Sequence, residues 1–325
     1  MKRRTAIKVI LALPACTLAP YAAAAQQSYP QRPVQIVVAA APGGSIDMVA
    51  RTIGEKLTES FNQAFVVSNR PGASGIIGTD FVARAQPDGY TLSMAPAAFI
   101  TSNVSTFSKL PYNPVKDFAP IILAVNQPMV LVVNANSPYK TVAQLTSYAK
   151  AHPGKLTYAS GGEGSPHHFS GVMFSRATGT SLLHVPYKGG GPAMSDLLGG
   201  HIDMIFAPAP EALPHLQAKK LRALGILGSK RSALMPDIPT MQEVGLPKLE
   251  LTAWVGLIAP AGTPADIISK LNASVEKSLS GDLRNNLHAQ GFEVAGGSSE
   301  DFRKVIKDDI AMYADLMKTS GMKPQ

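Results

Sequence analysis

The sequence predicts an α/β fold in which helices flank a mostly parallel sheet. Short runs rich in β-branched residues alternate with segments of helical periodicity along most of the chain, which is the pattern of βαβ units. The chain has 325 residues, of which 45% are apolar. That is enough to bury a large core, and the length favours two domains.

The first unit begins with a strand and ends near residue 125. Within it we predict strands at residues 34–38, 65–67 and 90–94, and helices at residues 46–61 and 76–85. Each helix lies between two strands, as a parallel crossover requires.

A polar break, Asn126-Gln127-Pro128, separates two apolar runs at residues 121–125 and 129–133. We expect two separate strands here, with the break as a crossover into a second α/β unit. In that unit helices and strands alternate again. The predicted helices are 142–151, 167–178 and 193–198, and the predicted strands are 156–159, 182–185 and 202–206.

The chain then returns to the first unit. A long strand at residues 221–227 is expected to cross back, and a strand at residues 254–259 to resume the first sheet. Helices at residues 264–279 and 299–319 should pack on that sheet. The predicted organisation is a signal peptide, a discontinuous first domain and an inserted second domain. Their ranges are 1–25, then 26–125 with 228–325, and 126–227.

The first 25 residues have the features of a secretory signal. Four basic residues, Lys2, Arg3, Arg4 and Lys8, accompany a short apolar stretch, and an Ala-rich site allows cleavage after Ala25. The basic segment also resembles a twin-arginine signal, so both the Sec and the Tat route stay open. We therefore expect an exported protein.

The mature chain is less basic than the full sequence. Removing residues 1–25 takes away four basic and no acidic residues, so the formal net charge falls from +8 to +4. It also removes Cys16, the only cysteine, so no disulfide or cysteine metal site is expected. No block of Lys and Arg with interleaved aromatic residues remains, which argues against a nucleic-acid partner.

Four Gly-rich turns follow predicted strands. In open α/β sheets ligands bind at the carboxyl ends of the strands, and turns rich in backbone N–H groups favour anions. Two units with two such turns each could enclose an anion, although each turn also fits an ordinary tight connection. The turns are 42–44, 69–75, 160–166 and 188–192.

Asp47 has a structural and a functional interpretation. In the first turn of a helix its carboxylate favours the dipole and can accept bonds from free N–H groups, while Ser45 can act as the N-cap. Alternatively, Asp47 holds the turn so that other N–H groups face a ligand. Arg51 and Arg70 fit either a ligand carboxylate or partners within the chain.

Enzymatic motifs are weak in this sequence. The Gly-rich turns lack the Lys-Ser or Lys-Thr of a P-loop, and Ser74 lacks the spacing of a nucleophile elbow. His167 and His168 are adjacent and cannot share a helix face, while His184 and His201 stand alone beside strands. We therefore predict no catalytic residue, no metal ligand and no cofactor, although an enzyme built from Asp and His stays possible.

Several motifs resemble the periplasmic receptors of tripartite tricarboxylate transporters, the Bug receptors. They run in order through nearly the whole mature chain. The matching stretches are Ala41-Pro42-Gly43-Gly44-Ser45-Ile46-Asp47, Asn69-Arg70-Pro71-Gly72-Ala73-Ser74-Gly75, Ala85-Gln86-Pro87-Asp88-Gly89-Tyr90-Thr91-Leu92, His184-Val185-Pro186-Tyr187-Lys188-Gly189, Asp196-Leu197-Leu198-Gly199-Gly200, Lys220-Leu221-Arg222-Ala223-Leu224 and Ala259-Pro260-Ala261-Gly262-Thr263-Pro264.

The resemblance implies a two-domain periplasmic-binding-protein fold, the Venus flytrap, that closes on a small carboxylate. It also implies a monomer in the periplasm that delivers the ligand to the large and small membrane subunits of a transporter. The residues it implies for the first domain are Gly43, Gly44, Ser45, Ala73 and Ser74. Those it implies for the second are Gly162, Ser165 and His167.

The sequence departs from the family at positions that bear on the ligand. Ala39 and Ala40 stand where many members have Pro and an aromatic residue, which leaves room or removes a stacking partner. Ala207 stands where members often carry Asp, so the site loses an acid that would hold an ammonium or hydroxyl. We therefore expect an aromatic or bulky carboxylate without an amino group.

Two other functions stay open. The fold would equally serve a ligand sensor that acts on a signalling partner without transport, and adjacent genes for membrane subunits would discriminate between these. A hydrolytic enzyme is the third class and would have to turn over the bound carboxylate.

Overall fold

The computed structural model describes residues 29–228, 230–320 and 322–324. The predicted signal peptide, residues 1–25, lies outside them. The first elements are β1 Val34–Val38, α1 Ser45–Phe61, β2 Phe65–Asn69, α2 Ile76–Ala83, β3 Thr91–Pro96, α3 Asn103–Thr106 and β4 Phe118–Asn134. Single helical turns at Ala73–Gly75 and Ala98–Ser102 precede α2 and α3.

The remaining elements begin after β4. They are α4 Val142–Ala151, β5 Thr157–Ser160, α5 Pro166–Thr178, β6 Leu183–Pro186, α6 Gly190–Gly199, β7 Met204–Pro208, α7 Ala209–Gln217, β8 Leu221–Ile226, β9 Thr252–Pro260, α8 Ala265–Ser278, α9 Asp282–Ala289, β10 Glu293–Val294 and α10 Ser299–Ser320. The predicted α/β class is confirmed. Helices α7 and α9 were not predicted from the sequence.

The strands form a continuous sheet in the order β2-β1-β3-β9-β4-β7-β5-β6, with β10 and β8 also pairing β4. The pairs β1–β2, β1–β3, β5–β6 and β5–β7 are parallel, as the alternation of strands and helices predicts. The pairings described for β4 and β9 are antiparallel. The sheet is therefore mixed. The antiparallel pairs arise because β4 runs from one half of the sheet into the other and β9 runs back beside it.

Strand β4 does not break at Asn126-Gln127-Pro128, so the predicted crossover loop is wrong. Up to Pro128 the strand pairs β9, and from Met129 it pairs β7 and β8. Proline has no N–H to give to a ladder, and here it stands where the strand changes partners. We call the part before this point, with β9, the first lobe, and residues 129–251 the second lobe.

The chain returns to the first lobe at Thr252 rather than at residue 228. Residues between these points pack on the second lobe: Met241 and Leu251 are buried in one core cluster with Phe206, and Met235 in another with Ile205. The bridge between Ile226 and Thr240 ties the segment to the end of β8. The sequence analysis placed this stretch in the first domain, because it contains three prolines and no clear periodicity that would have linked it to the second.

Helix α10 packs on both lobes, whereas the sequence predicted packing on the first alone. Phe302 and Ile306 are buried with Trp254 in the first lobe. Two turns later Tyr313 packs against Phe169 of the second lobe, with 4.8 Å between ring centroids. The helix of 22 residues is long enough to span the boundary between the lobes. Across the described ranges, no helix combines the length and apolarity that a membrane crossing needs.

Asp309 lies on α10 between these two contacts. Its carboxylate accepts a hydrogen bond of 2.6 Å from Trp254 Nε1. Burial raises the pKa of Asp309 from 3.8 to about 6, against the opposing effect of the Trp254 bond. The folded chain therefore holds this proton more tightly than the unfolded chain, and the contribution of Asp309 to stability declines as the pH rises from about 4 to 6.

We predict that Asp309→Asn stabilises the protein above pH 6. Asparagine still offers an oxygen to Trp254 Nε1 but carries no charge to bury, so the gain should approach about 2 kcal/mol at pH 7.5 and vanish near pH 4. Urea unfolding of both proteins at several pH values measures it. Asp315→Asn, an exposed position on the same helix, is the control. A gain that does not depend on pH would contradict the assignment.

Candidate functional site

The turn between β1 and α1 leaves the N-terminus of the helix open. Gly43 has a φ of +84°, a left-handed conformation that favours glycine. Gly44 is the N-cap, and no side chain caps the helix. A β-carbon added at Gly44 would meet no atom within 4 Å. The first turn of α1 therefore has no side-chain cap and has open space beside Gly44, and the helix dipole favours an anion at such a terminus.

Asp47 holds this turn from beneath. Its buried carboxylate accepts bonds from Gly43 N (3.0 Å), Arg51 Nε (2.9 Å) and Asn69 Nδ2 (2.9 Å). Burial alone would raise the pKa of Asp47, but these donors outweigh it and the pKa is lowered. The expectation that Ser45 caps the helix is wrong, because Gly44 occupies that position and Ser45 is the first helical residue.

Asn69 joins the first two Gly-rich turns. It donates to Ala40 O (3.2 Å) and to Asp47, and it accepts a bond from Arg51 (3.2 Å). Ala40 thus contributes a carbonyl to the support of the turn. Arg51 is an intrachain partner of Asp47, while the Arg70 guanidinium lies 3.7 Å from the ring centroid of Phe81.

The second turn of the first lobe has an unusual backbone. Ala73 and Ser74 have φ values of +47° and +52° between two glycines of positive φ. Each left-handed non-glycine residue costs roughly 1 kcal/mol. Asn103 Nδ2 donates to Ser74 O (3.1 Å) and holds the turn from α3. Both residues are exposed.

In the second lobe, the turn before α5 is closed by its own hydrogen bonds. Ser165 is the N-cap: its hydroxyl accepts a bond from His168 N (3.3 Å) and donates to Gly162 O (2.6 Å). Ser160 Oγ also donates to Gly162 O (3.1 Å). Because both hydroxyls are occupied, this turn is more self-contained than the one at Gly44.

His167 faces the first turn of α7. Its Nε2 lies 3.3 Å from Glu211 Oε2, and the imidazole is buried, whereas the Glu211 side chain is 31% exposed. A carboxylate accepts hydrogen bonds, so this contact places the proton on Nε2. His167 Nδ1 is buried and has no hydrogen-bond partner among the described residues.

Two cavities lie between the lobes. The inner cavity has a volume of about 120 Å³ and the outer cavity about 360 Å³. Ser45 and Glu211 border both of them. The inner cavity is lined by Ser45, Ile46, Pro96, Ala97, Ala98, Phe99, Gln127, Pro166, His167, Pro208, Glu211, Ala253 and Trp254. The outer cavity is lined by Gly43, Gly44, Ser45, Met48, Gly190, Gly191, Met194, Ser195, Leu198, Pro210, Glu211 and His215.

A larger cavity of about 470 Å³ opens elsewhere, on the second lobe between α7 and residues 234–238. It is formed by one lobe alone, and the residues implied by the sequence do not border it. The cleft between the lobes is therefore the candidate site.

The structure brings together only part of the expected site. Gly43, Gly44 and Ser45 border the cleft together with His167. Ala73, Ser74, Gly162 and Ser165 do not border either of these two cavities. The first two belong to the neighbouring turn and the last two to the turn that leads into His167.

Ala39, Ala40 and Ala207, which were expected to shape the ligand site, do not border either of the two cavities between the lobes. Ala207 is fully buried in the core of the second lobe, so its size does not shape the cleft. Ala39 is also buried, and a β-carbon on Gly78 would lie only 2.7 Å from its own. Ala40 packs against the core of the first lobe. The room expected from Ala39 is therefore taken up by internal packing, whereas Ala40 is half-buried.

Gln127, Phe99 and Glu211 are among the cleft residues that were not predicted. Gln127 is buried, borders the inner cavity and makes no side-chain hydrogen bond with the described residues. A polar residue between two apolar runs is a signal that could have found it. Phe99 gave no pattern. Glu211 follows Pro208 and Pro210, a helix start that was overlooked.

The expectation that His184 stands alone is wrong. It stacks on His168, with 4.1 Å between ring centroids, and on Tyr158 at 4.8 Å. Its Nε2 lies 2.7 Å from Ser160 Oγ, and Gly164 N donates to His168 Nδ1 (3.1 Å). Burial and the neighbouring His168 lower the pKa of His184 to about 4, and burial lowers the pKa of His168. Two neutral rings therefore support the turn at Gly162.

The described residues contain no group of three or more His, Cys, Asp or Glu side chains that could hold a metal ion. The cleft contains a helix N-terminus without a side-chain cap, a His–Glu pair, a buried amide and an apolar wall.

Comparison with known proteins identifies a family. The model of the tripartite tricarboxylate transporter family receptor matches residues 49–322. Protein BugT of Bordetella pertussis is 36% identical over 298 residues, which are 91% of this chain and 91% of BugT.

Two solved structures are similar over nearly their whole length. R. palustris Rpa4515 with adipate has a TM-score of 0.87 and 35% identity, covering 92% of this chain and 100% of that one. The periplasmic binding protein BugD has a TM-score of 0.82 and 35% identity, covering 91% of this chain and 100% of BugD. The resemblance inferred from the sequence motifs is confirmed.

We predict that the histidine stack makes the protein sensitive to acid. Unfolded histidine binds a proton below a pKa of about 6.5, but folded His184 stays neutral down to about 4. The contribution of His184 to the free energy of unfolding is therefore fully present above pH 6.5 and is lost as the pH falls towards 4. The loss from His184 between pH 7 and 5 should be about 1–2 kcal/mol.

The variant His184→Phe tests this prediction. It keeps a stacking ring but cannot titrate, so unfolding free energies at pH 7 and 5 should differ less than in the wild type. Its loss of the Ser160 contact lowers stability at both pH values. His201→Gln, at an exposed histidine, should keep the wild-type slope. An unchanged slope in His184→Phe would refute the prediction.

Proposed function

The chain belongs to the tripartite tricarboxylate transporter family of receptors, and we propose that it captures a small carboxylate between its two lobes and delivers it to a membrane permease. The observation that supports this most directly is the open N-terminus of α1. No side chain caps it, and it borders a cavity shared with the other lobe. A ligand carboxylate bound there accepts the free N–H bonds and neutralises the positive end of the helix.

The lining of the inner cavity supports a ligand with an apolar body. Phe99, Trp254 and Ile46 contribute apolar surface beside the helix terminus. We therefore keep the expectation of an aromatic or bulky carboxylate, now on the basis of these walls rather than of Ala39 and Ala40. His167 and Gln127 also line this cavity and offer polar contacts.

The proposed setting is the periplasm. BugD, a structural neighbour, is a periplasmic binding protein, and residues 1–25 have the pattern of a cleaved signal. The proposed partners are the large and small membrane subunits of a tripartite tricarboxylate-type transporter. A receptor of this kind binds and releases its ligand unchanged.

A thermal-shift screen of residues 26–325 tests the function. The panel contains aliphatic mono-, di- and tricarboxylates, amino acids, and benzoate, phthalate and nicotinate. A carboxylate at one hundred times its Kd adds roughly 2.7 kcal/mol to the free energy of unfolding. We expect a shift with one chemical class of carboxylate, and recovery of the ligand intact. The absence of any shift, or conversion of the ligand, would contradict the proposal.

We predict that Gly44→Asp abolishes carboxylate binding while raising the melting temperature. The backbone at Gly44 is ordinary (φ −81°) and the space beside it is open, so the new side chain fits. Its carboxylate caps α1, which typically stabilises a helix by about 1 kcal/mol. It also occupies and repels the position proposed for the ligand carboxylate, so affinity should fall at least about a hundredfold.

The matched control is Thr141→Asp. Thr141 already caps α4 through a bond to Gln144 N and lies outside the cleft. This variant adds the same charge at another helix N-cap and should leave affinity unchanged. Calorimetric titration and thermal melts of the three proteins give both readouts. Full affinity in Gly44→Asp would exclude the N-terminus of α1 as the binding position.

A further inference from the structure

We propose that Glu211 determines specificity in the cleft and makes the receptor select a monocarboxylate over a dicarboxylate. This inference rests on the proposed function and adds the class of substrate to it. It is carried by the position of the Glu211 carboxylate, by the charges of the surrounding wall and by the contact with His167.

The two helix N-termini that border the outer cavity differ. At α1 a β-carbon added to Gly44 would meet nothing within 4 Å. At α6 a β-carbon added to Gly190 would lie 2.5 Å from Glu211 Oε2 and 3.1 Å from Oε1. Neither helix has a side-chain N-cap hydrogen bond. A carboxylate of the chain thus already lies against the positive end of α6, while the end of α1 is open.

His167 holds that carboxylate in place. The distance from its Nε2 to Glu211 Oε2 is 3.3 Å, and the His167 side chain is 8% exposed. Because His167 is buried in the first turn of α5, its contact favours a Glu211 position at the border of both cavities. The acid therefore faces a ligand in either cavity.

The walls of the cleft offer little to a second carboxylate. Within the described part of the chain, none of the residues that border either cavity is Lys or Arg. His167, already in contact with Glu211, and His215 are the basic side chains there. A dianion bound at α1 would bring its other carboxylate towards Glu211, where neither Lys nor Arg among the described residues lines the wall to compensate the second charge. Two like charges about 6 Å apart at an effective dielectric constant of about 20 lower affinity by roughly a hundredfold.

The remaining contacts suit an uncharged far end. Phe99 and Trp254 provide apolar walls, and the buried Gln127 amide, which is unpartnered within the described residues, can give or accept one neutral hydrogen bond. The cleft therefore has one position that favours a ligand carboxylate, at α1, and one position where the protein's own carboxylate repels a second one, at Glu211. A monocarboxylate with an aromatic or aliphatic body satisfies both.

Matched ligand pairs test this inference. Calorimetric titrations compare hexanoate with adipate and benzoate with terephthalate, for the wild type, Glu211→Gln and Glu250→Gln. Glutamine keeps the size of Glu211 but removes its charge. Glu250 is exposed, belongs to the second lobe and does not border either cavity, so its variant controls for net charge.

We expect the wild type to bind one or both monocarboxylates at least tenfold more tightly than the matched dicarboxylate. Glu211→Gln should raise dicarboxylate affinity about tenfold or more and leave monocarboxylate affinity within about threefold, while Glu250→Gln should change neither. Glu211→Asp, which keeps the charge, should keep the wild-type preference, and Glu211→Ala, which also removes the charge, serves as the second variant if Glu211→Gln does not fold.

Three results would overturn the inference. A wild type that prefers dicarboxylates, or a Glu211→Gln variant whose preference equals that of the wild type, would refute the role of Glu211 and leave the proposed function standing. Binding of neither member of any pair, nor of any other carboxylate, would refute the proposed function as well.

Discussion

The buried carboxylate of Asp47 is the interaction on which the candidate site depends. It accepts the N–H of Gly43 and bonds from Arg51 and Asn69, so one anion fixes the entry to α1, the following helical turn and the end of β2. The Asp47 carboxylate is occupied by these donors, and no side chain makes a capping hydrogen bond at the N-terminus of α1. The N-terminus of α1 therefore lacks a side-chain cap where it borders the cleft, and this is the position that we propose for the ligand carboxylate.

The second constraint is how two lobes share one sheet. β4 passes from one lobe to the other at Pro128, and β9 starts beside it at Thr252. Helix α10 contacts both lobes, and Ser102 Oγ of the first lobe donates to Gly164 O of the second (3.0 Å). A change in the angle between the lobes has to be taken up at these few points, because the cores on either side are closely packed. The cleft lies beside them, bordered by Gln127 and Ala253.

Local features of the fold were predictable and long-range ones were not. β1 and α4 have the bounds that their periodicity predicts, and the Gly-rich turns mark the entry to α1 and α5. The continuity of β4 through Pro128 depends on strands more than 70 residues away in sequence, so local chemistry suggested a break. In the site, Gly43–Ser45 and His167 were implied by the family resemblance. The contacts of Glu211 with His167 and of His168 with His184 join elements that are distant in sequence, so residue spacing along the chain did not predict them.

We propose that a ligand carboxylate caps the N-terminus of α1, and a crystal structure of the mature protein with the carboxylate that gives the largest thermal shift would show whether it does. We expect carboxylate oxygens within hydrogen-bonding distance of the N–H groups at Gly44, Ser45 or Ile46, with the ligand body between Phe99 and Trp254. A ligand bound in the cavity between α7 and residues 234–238, or bound in the cleft with its carboxylate away from α1, would contradict it.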